Sequence, residues 1–194
     1  MIVIAPGSGC IVRDWLEGLR HRHPRRSLIV YSDFDVAPDG ARPNVAWHKL
    51  NPEAGRDWEA MLVRNRPLVL LPAIDQRCVD AQLALAAAAR VAGVPSIVQV
   101  SLLGADARVS VRLPRWAGLV ERAVQSAGVP FAIVRAAPPM QVVELYLRRD
   151  PSGLAIHGAF RDAKIALIDA QDVGELAARL AVDVASGARE TQVC

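Results

Sequence analysis

Lysine is almost missing from this 194-residue chain: Lys49 and Lys164 are the only two, and arginine supplies the rest of its 23 basic side chains, set against 20 acidic ones. A mechanism that needs a lysine thus has two candidates, and a formal net charge of +3 is too small an excess to mark a polyanion binder. Aromatic residues make up only 5% of the chain, too few for a base-stacking platform, so nucleic acid is not the expected partner. Cysteine occurs only as Cys10, Cys78 and Cys194, an odd number with no Cys-x-x-Cys pair. That excludes a disulfide framework and a zinc site and points to reduced thiols, with no metal expected. No apolar run reaches the roughly 18 residues of a membrane span, and Met-Ile-Val-Ile-Ala-Pro-Gly at the N-terminus lacks the basic lead of a signal peptide. A cytoplasmic location without a membrane partner is the expectation. No repeat, polar linker or low-complexity stretch divides residues 1–194, which read as one domain.

What is present is apolar residue in quantity, 52% of the chain, arranged as short runs alternating with amphipathic helical patterns. The runs Ile2 to Ala5, Leu28 to Tyr31, Val45 to Trp47, Leu68 to Leu71, Ser96 to Val100 and Phe131 to Val134 read as strands. Most are continuous rather than alternating, as expected where helices cover both faces of a parallel sheet. Ile11, Val12, Trp15, Leu16 and Leu19 form one helical face, Asp75 to Val91 is an alanine-rich helix, and Asp172 to Val184 is a last one. Two Ala-Gly-Val-Pro segments, at Gly93 and Gly128, connect helix to strand. After Arg135, Pro138-Pro139 breaks the chain, Gln141 to Arg148 reads as helix, Asp150-Pro151-Ser152-Gly153 as a turn, and Lys164 to Leu167 as a short strand. The expected fold is α/β, a doubly wound parallel sheet of Rossmann type with a minimal C-terminal substrate lobe.

The first strand runs into Ala5-Pro6-Gly7-Ser8-Gly9-Cys10 and then a helix, so backbone N–H groups and the helix dipole favour a phosphate there. The full dinucleotide fingerprint has three glycines; Pro6 and Val12 occupy two of their places, and a merely tight strand-to-helix turn is the plainer alternative. Reduction of carbonyls by a tyrosine with a lysine four residues on is excluded, because Tyr31 is followed at that spacing by Asp35 and Tyr146 by Asp150. Ser101 ends the fifth strand, where open α/β sheets bind ligands; it could orient a substrate carbonyl or simply cap a loop. Arg135 ends the sixth and could hold an anionic substrate or pair with Asp172 or Glu121. Pro72, Ser101, Arg135 and Met140 would gather around one pocket, shallow or completed by another subunit of a homo-oligomer. His157 has no carboxylate at readable spacing and reads as structural, and Arg20 to Arg26, with His21 and His23, reads as a solvated helix end.

Several segments together resemble the NmrA-like family of atypical short-chain dehydrogenases over nearly the whole chain. They are Ile97-Val-Gln-Val-Ser-Leu-Leu-Gly-Ala-Asp106, Gly128-Val-Pro-Phe-Ala-Ile-Val-Arg135, Pro139-Met140, Glu121, and Ile168-Asp-Ala-Gln-Asp-Val-Gly-Glu-Leu-Ala177 with Asp172. The resemblance implies NAD or NADP as cofactor, held by Gly7, Ser8, Gly9, Cys10 and Ile11, with Leu71 and Pro72 lining the nicotinamide side. Where members that prefer NADPH often carry an arginine after the second strand, this chain has Ser32, a donor for a phosphate, and Asp33, which would repel one and accept from a ribose hydroxyl. Lys49 stands where the family has an aspartate near the adenine. The implied function is a dinucleotide-binding protein that reduces a small molecule by hydride transfer without the tyrosine and lysine pair. The alternative is a non-catalytic dinucleotide-sensing or regulatory protein with a degenerate cofactor turn.

Overall fold

The computed structural model describes residues 1–4, 9–21, 27–32, 44–49, 61–63, 65–151, 153–156, 162–185 and 191–193. Its elements, in chain order, are β1 (Ile2–Ile4), α1 (Gly9–His21), β2 (Leu28–Ser32), β3 (Val45–Lys49), β4 (Leu68–Leu70), α2 (Gln76–Ala88), β5 (Ile97–Leu102), α3 (Arg112–Ser126) and β6 (Phe131–Ala136). A 3-10 helix (Met140–Tyr146), the strands β7 (Leu147–Asp150) and β8 (Gly153–Ile156), the helix α4 (Ala170–Ala185) and the strand β9 (Thr191–Val193) complete them. Seven strands form one sheet in the order β3-β2-β1-β4-β5-β6-β9, every pairing parallel. The chain adds strands outward from β1 as far as β3, then returns to the other side of β1 with β4. That reversal leaves a crevice at the carboxyl ends of β1 and β4.

Alternation along the strands divides the core in two. Val69, Val98, Val100, Ala132 and Val134 pack with Val12, Trp15, Leu16 and Leu19 of α1 and with Val173, Ala177 and Ala181 of α4. Leu68, Leu70 and Ile97 turn the other way, onto Cys78, Val79 and Leu85 of α2 and Trp116, Val120 and Val124 of α3. Strands wet on neither face must be apolar at every position, which is why they read as unbroken runs. α1 and α4 approach closely because each has a glycine at the crossing. A Cβ on Gly18 would meet the Gln171 carbonyl oxygen, and one on Gly174 would meet that of Trp15.

Helix ends follow the expected chemistry. Asp75 caps α2, its carboxylate accepting from the Cys78 N–H at 2.8 Å. Gly93 and Gly128, in the two Ala-Gly-Val-Pro connectors, adopt φ of 70° and 69°, the left-handed geometry that ends a helix.

The segment after β6 departs from expectation. The helix read over Gln141 to Arg148 is a 3-10 helix that gives way to the β7–β8 hairpin, whose last pair is Asp150 with Gly153; Ser152 of the turn read there lies outside the described residues. A short run buries no residue of its own, and isolated helices of this length are marginal in water. The strand read over Lys164 to Leu167 does not form; Ile165 and Leu167 are exposed, and the only ladder rung is the bridge between Pro139 and Ile168. Its potential partner strand is Pro138-Pro139, which has no N–H to donate, so pairing stops at two bonds, Met140 N to Ile168 O at 2.7 Å and Ile168 N to Pro138 O at 3.2 Å. β9, unexpected from the sequence, adds the seventh strand beside β6.

Candidate functional site

Parallel strands gather their carboxyl ends on one edge, and here β4, β5 and β6 end around a cavity of about 360 Å³. Ile11 and Trp15 of α1 wall one side, Pro72 to Ile74 after β4 another, Val100 to Leu103 form the floor, and Pro138, Pro139 and Val142 close it from the segment after β6. Gln141 fastens that segment: its amide donates to Asp169 at 3.0 Å and accepts from the Ala170 N–H at 3.2 Å, at the start of α4. None of the described residues lining the cavity is acidic, basic, histidine, tyrosine or cysteine; Ser101 contributes the one side-chain hydroxyl. The rim is apolar too, with Ile74, Leu103 and Leu113 exposed to solvent.

Ser101 and Arg135 are cross-strand partners at the ends of β5 and β6. Both turn toward Glu121 of α3, whose side chain is only 6% exposed. The Ser101 hydroxyl donates to Glu121 Oε1 at 2.6 Å, while Arg135 donates from Nε to Oε1 at 3.0 Å and from Nη2 to Oε2 at 2.7 Å. The single hydroxyl proton is thereby directed to a carboxylate rather than to the cavity, so Ser101 can accept a hydrogen bond there but not polarise a carbonyl. Of the two roles open to Arg135, the structure realises the ion pair, and with Glu121 rather than Asp172.

The other sequence candidates fall as follows. Ile11 and Pro72 lie on the cavity wall, Leu71 is fully buried beside it in the α1 and α4 core, and Met140 is exposed off the wall. Gly9 and Cys10 form the start of α1, and Gly7, Ser8, Asp33 and His157 lie outside the described residues. Ser32 is fully buried at the end of β2, beside Lys49 at the end of β3. Tyr31 stacks on His48, ring centroids 5.2 Å apart, and burial raises its pKa; neither it nor Tyr146 lines the cavity. His21, at the end of α1, meets Glu175 at 3.1 Å, so the cationic run begins by tying α1 to α4. Trp15 and Val142 escaped the sequence reading as wall residues. Trp15 follows Ile11 by about one turn on the same face, a spacing that equally describes core.

A dinucleotide is compatible with these residues. The amino end of α1 leads directly, through Ile11, into the cavity, so a ligand with its phosphates over the first turn can extend an apolar ring inward. At the opposite end, on β3, the buried Trp47 indole N–H has no acceptor among the described residues.

No protein-family model and no curated protein matches the sequence. Solved structures do match by fold. NADPH-dependent quinone oxidoreductase QOR2 from Escherichia coli, complexed with NADPH, superposes with a TM-score of 0.73 at 19% identity, over 100% of this chain and 68% of that one. Triphenylmethane reductase from Citrobacter sp., complexed with NADP(H), gives a TM-score of 0.69 at 13% identity, over 100% and 69%. The anaerobillin reductase ChuY of E. coli O157:H7 gives 0.64 at 15%, over 99% and 96%. At these identities the likeness establishes a Rossmann-type α/β fold.

Proposed function

We propose that this chain binds a nicotinamide dinucleotide across the carboxyl edge of its sheet and reduces a flat, conjugated, largely apolar molecule in the cavity beside it. The observation that carries the reading is the cavity itself: about 360 Å³ at the ends of β4 to β6, continuous with the first turn of α1 and free of ionisable side chains among its described lining residues. Gly7, Ser8, Gly9, Cys10 and Ile11 would hold the pyrophosphate, Ser32 and Asp33 the adenosine ribose, and Leu71, Pro72 and Ser101 the nicotinamide side. The bound dinucleotide supplies the hydride. The chain's own residues bind and orient the acceptor, and the proton that completes the reduction comes from solvent at the cavity mouth, since no described wall residue can donate one. Fold neighbours named for a quinone, a triphenylmethane and an anaerobillin support a conjugated substrate class. The architecture we read as a doubly wound single domain, with the segment between β6 and α4 as its minimal substrate lobe.

Calorimetric titration with NADH and NADPH, followed by reduction of a water-soluble quinone monitored through loss of the reduced nicotinamide absorbance, tests this. Micromolar to sub-millimolar binding with turnover is expected. Failure of both nucleotides to bind at millimolar concentration to the folded protein overturns it. Tyr31→Phe and Tyr146→Phe should leave turnover within a few fold, whereas loss of a proton donor costs about 10²–10⁴-fold. Pro6 and Val12 in place of fingerprint glycines favour a second reading, in which the dinucleotide binds without turnover and the chain acts as a sensor.

A further inference from the structure

Apolar side chains crowd the mouth of the cavity. Ile74 before α2, Leu103 after β5 and Leu113 in the first turn of α3 line the cavity and are still 51%, 46% and 43% exposed. Val111, two positions before Leu113, is 63% exposed. The loop that carries three of these residues is fixed by backbone bonds, from the Leu103 N–H to Ala136 O at 3.0 Å and from the Asp106 N–H to Pro114 O at 3.1 Å, so the patch is preformed. Exposed side chains of this size, grouped together, mark an interaction surface. The charge beside them has one sign left over. Arg108, Arg112 and Arg115 are all exposed, and Asp106, the only acid between positions 103 and 115, is engaged by Arg108 at 2.8 Å. Arg112 lies over the Trp116 ring, 5.7 Å from its centroid, and neither it nor Arg115 meets a carboxylate among the described residues. Both stand in the first turn of α3, where a cation opposes the helix dipole, and Val111 at the N-cap offers no side-chain bond. Nothing inside the protein offsets that concentration of positive charge.

We propose that this patch docks on the surface of an anionic lipid bilayer. Val111, Leu113, Leu103 and Ile74 enter the headgroup boundary, and Arg112 and Arg115 meet lipid phosphates, so that an apolar ligand passes from the bilayer into the cavity. The ligand's path rests on the reading of the cavity above; the docking itself does not. No described helix is long and apolar enough to cross a membrane, so the contact is with the surface. The expectation of no membrane partner came from the lack of a spanning segment, which does not bear on such a contact. A protein seated here would close the mouth of the cavity, whereas a bilayer dissolves the flat apolar molecules that the cavity fits. Two copies of the chain meeting through the patch would set Arg112 and Arg115 against their own counterparts, and like charges brought together oppose association. Anionic headgroups complement the arginines and hydrocarbon complements the rim.

The test is flotation of the whole chain with vesicles of phosphatidylcholine alone, and of phosphatidylcholine and phosphatidylglycerol in equal parts, at low and at physiological salt. The anionic vesicles should bind at least about tenfold more tightly than the neutral ones, and the difference should shrink with salt. Val111→Asp should lower binding at least about tenfold. Aspartate is a better N-cap than valine, so that loss would not come from a weakened α3. Arg115→Gln should lower binding about fivefold, the factor for one cation at such a surface. Val91→Asp, at an exposed apolar position near the amino ends of the strands, should change nothing. Vesicle binding that is absent, indifferent to anionic lipid, or reduced as much by Val91→Asp as by Val111→Asp overturns the proposal. So does a dimer in light scattering that Val111→Asp converts to monomer while no vesicles are bound, because the patch is then an interface between copies. No dinucleotide and no turnover enter the readout, so failure here leaves the dinucleotide reading standing, and failure of the dinucleotide titration leaves the docking standing.

Discussion

The two sides of the sheet are built from opposite materials. On the α2 and α3 side, buried polar groups make directional bonds: Gln82 donates to the Leu71 carbonyl at 2.7 Å, Gln99 to that of Ala117 at 3.2 Å although its own Oε1 has no partner among the described residues, and Trp116 to Gln76 at 3.1 Å, beside the Ser101, Glu121 and Arg135 cluster. The α1 and α4 side is mainly aliphatic and is drawn tight by glycines at a helix crossing, with the Ser96 hydroxyl on the Ala181 carbonyl as a buried polar contact. The cavity draws two of its walls, Ile11 with Trp15 and Val173, from the aliphatic side. The difference explains how a small domain lines a pocket with apolar side chains while anchoring the strands that floor it. Directional bonds fix β5 and β6 from behind, and the ligand-facing side is left to shape.

The comparison breaks most visibly at Glu121. Glu121→Ala removes the carboxylate to which both the Arg135 guanidinium and the Ser101 hydroxyl donate, and should destabilise the protein by about 2–4 kcal/mol in urea unfolding. A cost under about 1 kcal/mol would show that the polar side is not anchored there.

On the aliphatic side the corresponding change is Gly174→Ala. The added methyl meets the Trp15 carbonyl oxygen, so α1 and α4 must separate, and the loss should be about 1–3 kcal/mol. Any dinucleotide affinity should fall with it, because α1 carries both the first turn and the cavity wall. Stability falling with affinity unchanged would separate the crossing from the site.

The smallest effect belongs to a charge outside both cores. Asp106 sits in the loop between β5 and α3, its carboxylate accepting from the Arg108 side chain at 2.8 Å and from the Arg108 N–H at 2.9 Å. These bonds lower its pKa from 3.8 to about 2. A depressed carboxylate pKa stabilises the fold above the unfolded value and ceases to as pH falls through the folded one, so whatever the pair contributes fades between about 3.8 and about 2. Carboxyl NMR should place the Asp106 midpoint near 2, moving up toward 3.8 in Arg108→Ala.

How much of this was legible beforehand depended on whether the signal was local. Six strands, the alanine-rich helix beginning at Asp75 and the glycine connectors rest on neighbouring residues and could be read directly. Gly18 and Gly174 could not, because a helical glycine announces only a cost until its partner, more than 150 positions away, is known. The strand expected at Lys164 to Leu167 failed on a partner without N–H groups, and β9 has only Thr-Gln-Val to declare itself. In the site, Ile11, Pro72 and Ser101 were reachable as ends of strands or starts of helices. Whether Arg135 would face a ligand or Glu121 depended on a carboxylate from α3, fourteen positions earlier in the chain.

The α1 and α4 crossing also sets the order of events during synthesis. His21 and Glu175 are 154 positions apart, so the contact that seats α1 closes one of the longest loops in the chain and waits for nearly all of it to emerge. A nascent chain that already holds β1 to β6 still lacks the helix against which α1 packs. A ligand that needs α1 seated against α4 would therefore bind only after α4 has been made.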